Sequence, residues 1–293
     1  MAPPTFPLRQ RAEQLAATLP PLLVAAERVA TTVAQGVHGR RRVGQGETFW
    51  QFRGYEPHDP PQLIDWRQSA KSDRVFVREL EWEAAQSVWI WRDISPSMAW
   101  RSSGELPEKR GRADLLALAL SVLLVAAGEH VSLVGSGLRP ATGRSALPKL
   151  ATIIERHQEA PDNLPPTLPL PRNAQLVLMG DLLAPLEDID RVVREYVERG
   201  LRGHLLQVLD PAETDLPYQG RVRFSGLEGE ESWLLSRAEA VRGDYKARLA
   251  TQRRGLEAIA RVSGWSYAIH RTDHPPQSAL LALYAALSQS PEL

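Results

Sequence analysis

Short apolar runs alternate with helix-length segments over the C-terminal two thirds of this chain, and no other feature restricts its fold as much. The runs at residues 87–91, 131–134, 176–179, 205–209 and 266–269 read as strands. Between and after them, residues 113–127, about 147–158, 187–198, 237–262 and 277–287 carry helical patterns. Strand and helix in alternation predicts an α/β fold with a doubly wound, mostly parallel sheet of the Rossmann type. At 293 residues and 43% hydrophobic composition, a full core is within reach without a cofactor or crosslinks. Five prolines between residues 161 and 171 exclude regular structure there and predict a loop ahead of the third strand.

Upstream, residues 9–35 place Leu15, Leu19, Leu22, Leu23, Ala26 and Val29 at helical spacings. Pro20 and Pro21 are expected to break or kink that helix, and Gly36 and Gly39 to end it. Arg40, Arg41 and Arg42 read as a solvated turn. Residues 44–83 are dense in aromatics, arginines and carboxylates, with a half-exposed strand expected at 75–80 from its alternation. The chain is thus expected to divide into an N-terminal helical segment (1–43), a compact segment with short strands (44–86) and the α/β domain (87–293).

Composition removes several function classes. Thirty-five basic residues balance 35 acidic ones, so no global field steers the chain to nucleic acid or an anionic membrane. The absence of cysteine excludes disulfides, thiolate metal sites and a thiol nucleophile. The longest apolar run, residues 115–127, falls short of the roughly 20 residues a membrane span needs and contains Ser121. The opening MAPPTFPLRQRAEQ lacks the basic-then-apolar order of a secretory signal, so a cytoplasmic protein without a membrane span is expected.

In an open parallel sheet, ligands bind outside the carboxyl ends of the strands near the point where strand order reverses. Directly after the first strand stand Asp93, Ser95 and Ser97, and after the third stands Asp181. One carboxylate and two hydroxyls at i, i+2 and i+4 converge if the loop curls, and a second carboxylate joins them if the two strands are neighbours. This hard-oxygen set suits Mg²⁺ or Mn²⁺. The competing reading makes these residues helix caps, in which Ser or Asp side chains satisfy the first free amides. The chain has no phosphate-cradling Gly-x-x-x-x-Gly-Lys-Ser/Thr loop and no dinucleotide fingerprint, and Ser136 lies outside a Gly-x-Ser-x-Gly elbow. A metal-dependent phosphohydrolase with Asp93 as nucleophile and Asp181 on Mg²⁺ is the enzymatic alternative. It asks for a second carboxylate near the first, where Ser95 stands. A structural interaction module with an empty site is the third possibility.

The run Asp93-x-Ser95-x-Ser97, with Asp181 closing a later strand, resembles the metal-ion-dependent adhesion site (MIDAS) of von Willebrand A domains. The preceding segment sharpens the likeness. Gly44-x-Gly46-Glu47, Phe52-Arg53-x-Tyr55-x-Pro57-x-Asp59, Ile64-Asp65-Trp66-Arg67-x-Ser69-Ala70 and Val77-Arg78-Glu79 are similar to the signature of the bacterial family named domain of unknown function 58, DUF58. The resemblance implies a von Willebrand A-like domain without known catalytic activity, which binds a protein partner as an adaptor or co-chaperone. It also implies that this partner is a MoxR-type AAA+ ATPase or its client. Two departures stand out: His58 precedes Asp59 where the family usually has glycine, and the metal-binding threonine of full adhesion sites has only Thr142, Ser145 and Thr167 as candidates. Arg53, Arg67 and Arg78 with Asp59, Asp65 and Glu79 read either as a partner-binding surface or as an internal ion-pair network, and the network is the preferred expectation. Trp50, Trp66 and Trp82 are expected to pack beside it, whereas exposed tryptophans there would mark a binding face. His58 has no second histidine at ligand spacing, so no metal role is assigned to it.

Overall fold

The computed structural model describes residues 21–36, 49–55, 64–71, 74–80, 87–143, 145–156, 163–227, 229 and 231–288. The chain divides into two compact units, residues 39–85 and the remainder.

In the smaller unit, β1 (Phe49–Gly54) pairs antiparallel with β2 (Phe76–Leu80), and a single helical turn, α2 (Trp66–Ser69), lies between them in sequence. Ser69 holds this unit together locally: its hydroxyl donates to the Asp65 carbonyl at 2.8 Å and accepts the Phe76 amide at 2.9 Å. The Asp65 amide donates to the Phe76 carbonyl at 2.9 Å, so the turn is pinned to the start of β2. Trp66, expected to pack, is instead 68% exposed, and Arg67 is exposed as well. Trp50, Arg53, Arg78 and Glu79 lie in strands whose side chains are not described. Gly44, Gly46, Glu47, Pro57, His58, Asp59, Trp82 and the arginines at 40–42 lie outside the described residues.

The larger unit is built on five parallel strands: β3 (Ser87–Arg92), β4 (His130–Leu133), β5 (Gln175–Gly180), β6 (Arg202–Leu209) and β9 (Ser266–Arg271). Their spatial order is β4-β3-β5-β6-β9, so the chain leaves β3 to one side and returns to build the rest of the sheet on the other. This is the α/β doubly wound arrangement expected from the alternation, with its switch point between β3 and β5. The outer edge of β4 meets one isolated antiparallel bridge, from Val131 to Ala141.

Two apolar layers cover the sheet. On one face, α1 (Pro21–Gly36), α3 (Lys109–Ala126), α4 (Ala146–Arg156) and α8 (Pro276–Leu287) enclose Val88, Ile90, Val177, Met179, Leu206 and Val208. On the other, α5 (Leu186–Glu198) and α7 (Arg242–Val262) pack with Trp265 on Leu176, Leu178 and Leu205. Adjacent residues of β5 and β6 therefore serve opposite cores, which is why these strands read as nearly continuous apolar runs, interrupted in β6 by Gln207. The α1 helix begins at Pro21, where a missing N–H and a preset φ suit the first helical position, and it buries Leu23, Ala26, Ala30 and Val33 in the first core. Helix α3 is buried on nearly every side because α1 and α8 cover the surface it turns from the sheet.

Several boundaries differ from the sequence expectation. The β6 strand starts at Arg202, before its apolar run, since backbone pairing with β5 continues through polar Arg202 and His204. The segment expected as one helix over 237–262 opens with a 3₁₀ turn, Ala238–Val241, before α7. Three small elements had no periodic signal: α6 (Pro211–Asp215) and the hairpin of β7 (Val222–Phe224) with β8 (Trp233–Leu235). Three-residue strands are too short to show an alternation.

Two packing features give measurable expectations. A Cβ on Gly203 would clash with the Trp265 ring, so Gly203→Ala should destabilise the unit by about 1–3 kcal/mol. Thermal denaturation should show this as a fall in Tm of several degrees. His204 is buried, with Nδ1 2.7 Å from Ser266 Oγ and Nε2 3.2 Å from Gln175 Oε1, and burial lowers its pKa from 6.5 to about 4. The unfolded chain therefore binds this proton more tightly, so the contribution is present above pH 6.5 and is lost as pH falls towards 4. His204→Gln should flatten the pH dependence of Tm across that window, and an unchanged slope would assign the acid sensitivity to other groups.

Candidate metal centre

Neighbouring strands β3 and β5 bring the four candidate residues to one sheet edge. The Asp93 amide donates to the Met179 carbonyl at 2.7 Å, extending the β3–β5 pairing by one residue. Gly180 allows this approach: a Cβ there would come within 2.7 Å of Asp93 Cβ and 3.0 Å of Asp93 Oδ2. Beyond β3 the chain curls through a 3₁₀ turn at Pro96–Met98, and Asp93 Oδ1 accepts the Ser95 amide at 2.8 Å to close the loop. Ser95 precedes the turn, yet its hydroxyl makes no capping bond. It faces Ser97 instead, with 3.1 Å between the two Oγ atoms. Ser97 Oγ donates to Asp181 Oδ2 at 2.8 Å. The capping alternative thus fails for Ser95, whereas Asp93 closes its own loop and Asp181 Oδ1 accepts the Leu183 amide at 3.3 Å.

Lys109 completes the cluster and was not anticipated. Its side chain is 1% exposed, and Nζ donates to Asp181 Oδ2 at 3.0 Å and to Glu213 Oε1 at 2.5 Å. Although burial alone would lower it, the neighbouring Asp181 and Glu213 carboxylates hold the Lys109 pKa above its ordinary value. Glu213 is itself fixed by a capping box at the start of α6. Asp210 Oδ1 accepts the Ala212 amide at 2.8 Å, and Glu213 Oε2 accepts the Asp210 amide at 2.8 Å. Asp210 Oδ2 also accepts the Ser102 amide at 2.9 Å, tying the loop after β3 to the end of β6. Two signals for this part were present: the Asp210-x-x-Glu213 capping pattern after a strand, and a lysine at the first position of a helix, where the dipole disfavours a cation.

One turn into α3, Asp114 accepts Arg92 Nη1 at 2.7 Å, while Arg92 Nη2 donates to the Ile154 carbonyl at 2.9 Å. Burial pushes the Asp114 carboxyl up to about 6 despite the adjacent Arg92. This pair fixes the end of β3, one residue before Asp93, against α3 and α4.

The site opens into a cavity of about 620 Å³. Ser97, Asn163, Asp181, Glu213, Arg223 and Ser225 contribute its polar lining, while Leu183, Leu216, Tyr218, Phe224, Leu227 and Tyr245 are among its other walls. Thr142, Ser145 and Thr167 are not among the lining residues, and the proline-rich loop presents Asn163 there instead. Among the described residues no group of three or more His, Cys, Asp or Glu side chains is placed to hold a metal ion. The candidate set is of another kind, with hydroxyls between carboxylates. Metal–oxygen bonds of about 2.0–2.1 Å put neighbouring ligands of an octahedral ion roughly 3 Å apart. The 3.1 and 2.8 Å separations along Ser95, Ser97 and Asp181 are hydrogen-bond distances that coincide with that spacing.

Among the described residues no helix is long and apolar enough to cross a membrane. The chain is 26% identical over 275 residues to an uncharacterized protein of Mycobacterium tuberculosis, Rv1480, covering 89% of this chain and 86% of the relative. An uncharacterized protein of Mycobacterium bovis, Mb1516, matches to the same extent. Two solved structures are similar in part. One is an aerotolerance-related membrane protein from Bacteroides fragilis, at TM-score 0.43 and 17% identity over 69% of this chain and 98% of the other. The other is the conserved hypothetical protein BatB from Bacteroides thetaiotaomicron, at TM-score 0.42 and 14% identity over 70% of this chain and all of the other. The model of the family "Protein of unknown function DUF58" matches residues 51–255, from within β1 to within α7 and including every residue of the oxygen cluster, and the chain belongs to that family.

Proposed function

We propose that this chain is a protein-binding adaptor whose recognition site is a Mg²⁺ or Mn²⁺ centre at the β3–β5 switch point. The single observation that carries the reading is the convergence of Ser95, Ser97 and Asp181 oxygens at octahedral-edge spacing beside an open cavity. Ser95 and Ser97 would supply neutral ligands to the ion and Asp181 an anionic one, while Asp93 holds the loop through the Ser95 amide. A dication held mainly by neutral hydroxyls keeps enough Lewis acidity to take a carboxylate from a partner in its open position. The apolar walls around Leu183, Phe224 and Leu227 then contact the residues flanking that carboxylate. Family resemblance points to a MoxR-type AAA+ ATPase, or its client, as the partner, in the cytoplasm.

The phosphohydrolase alternative is less well supported. Asp93 would have to present a nucleophilic oxygen to substrate, but its side chain is 1% exposed and does not line the cavity. The group beside Asp181 is the Lys109 ammonium rather than a carboxylate able to serve as acid and base.

Calorimetric titration of Mn²⁺ into the chelator-stripped chain should give one saturable site. Ser97→Ala should abolish it, and Asp93→Asn should weaken it by roughly 10–100-fold, with far-UV circular dichroism unchanged. Capture of the ATPase should need the metal and fail in both variants. Capture that persists in a chelator, or in Ser97→Ala, would instead support an interaction module that works without a metal. Phosphoester turnover lost in Asp93→Asn would support the hydrolase.

A further inference from the structure

Lys109 is the one buried lysine in the oxygen cluster, and its placement has no explanation in the helix that carries it. It stands at the first position of α3, where the partial positive charge of the helix terminus opposes a cation. What holds it there is Asp181 on one side and Glu213 on the other. The oxygen it takes from Asp181, Oδ2, is the same one that accepts Ser97 Oγ. That oxygen lies on the octahedral edge that a metal would use. A dication bonded to Oδ2 at about 2.0–2.1 Å would stand within roughly 5 Å of the Lys109 nitrogen. Like charges at that separation in a buried setting are poorly screened. Lys109 also has a second acceptor, since Glu213 Oε1 is nearer to it, at 2.5 Å, than Asp181 Oδ2, at 3.0 Å. An ammonium carries three donors on a flexible stem and can release one acceptor while keeping the other.

We propose that Lys109 is the resident cation of this site, and that a divalent metal binds by taking Asp181 from the Lys109 ammonium, which remains on Glu213. The inference rests on the metal-centre reading and adds a regulator to it. Lys109 sets the affinity low, and the exchange alters the hold on Glu213, whose helix α6 forms part of the cavity wall. Metal loading and the shape of the partner pocket are thereby linked through one side chain.

The test uses Mn²⁺ calorimetry on the full chain, comparing wild type with Lys109→Met and with the double variant Lys109→Met/Glu213→Gln. The double variant removes one charge of each sign, so the net charge of the cluster is unchanged and only direct competition is relieved. Both variants are expected to bind Mn²⁺ at least tenfold more tightly than wild type. A double variant that binds no more tightly than wild type overturns the exchange. In that case the metal centre itself still stands, provided that wild-type binding is lost in Ser97→Ala. No saturable binding in any of these proteins overturns both. A second readout needs no variant. In the wild-type chain labelled with ¹⁵N-lysine, Mg²⁺ should shift the buried Lys109 ammonium resonance, and an unmoved resonance at saturating Mg²⁺ overturns the proposal.

Discussion

The ion pairs of one buried ammonium hold the carboxyl edge of this sheet together. Lys109 starts the helix after β3, Asp181 follows β5, and Glu213 opens the short helix after β6, so three consecutive strand ends of the sheet meet at Nζ. Removing one partner of such a buried pair leaves an uncompensated charge, at a cost of about 3–5 kcal/mol. The rest of the edge depends on the same staple. Asp210, the cap of α6, reaches back to the Ser102 amide, and Tyr245 of α7 donates to the Glu213 carbonyl at 2.6 Å.

The two cores explain why this edge can be so polar. Apolar residues on both faces of β3, β5 and β6 fill the sheet interior, and helices cover both sides. Polar side chains gather at the strand ends, where the loops diverge and a crevice opens, while those inside β6, His204 and Gln207, are hydrogen-bonded. Below that crevice the Arg92–Asp114 pair anchors β3 to α3, which supplies Lys109 from its first turn. The oxygen cluster is thus held from beneath by packing and from the side by charge. Those are the conditions under which a constellation of short side chains keeps its geometry.

Much of this architecture was legible beforehand. Strands β3 to β6 and β9 announced themselves as apolar runs, although β6 begins earlier, at Arg202, and α5 as an amphipathic repeat burying Ile189, Val192, Val193 and Tyr196. The Asp93, Ser95 and Ser97 spacing was legible too, because a loop residue that follows a parallel strand has few places to go. The short elements after β6 were not, since α6 and the β7–β8 hairpin owe their form to caps and to their surroundings rather than to periodicity. Trp66 was misread as a packing residue: aromatic type indicates area available for burial, but not what will cover it.

The sequence by itself determined the fold class, the strands and helices long enough to carry a period, and the residue types offered at the carboxyl edge. Those properties follow from local patterning, which hydrophobic burial converts into structure wherever the period is long enough to detect. Only the tertiary structure decided that β3 and β5 are neighbours, that Ser95 turns to Ser97 instead of capping a helix, and that Lys109 shares Asp181 with Ser97. Each of these depends on residues far apart in sequence whose meeting is set by strand order and by the cost of burying a charge alone. No local pattern encodes a contact between residues 109, 181 and 213; the low-dielectric interior selects it, because there an ammonium must find its carboxylates.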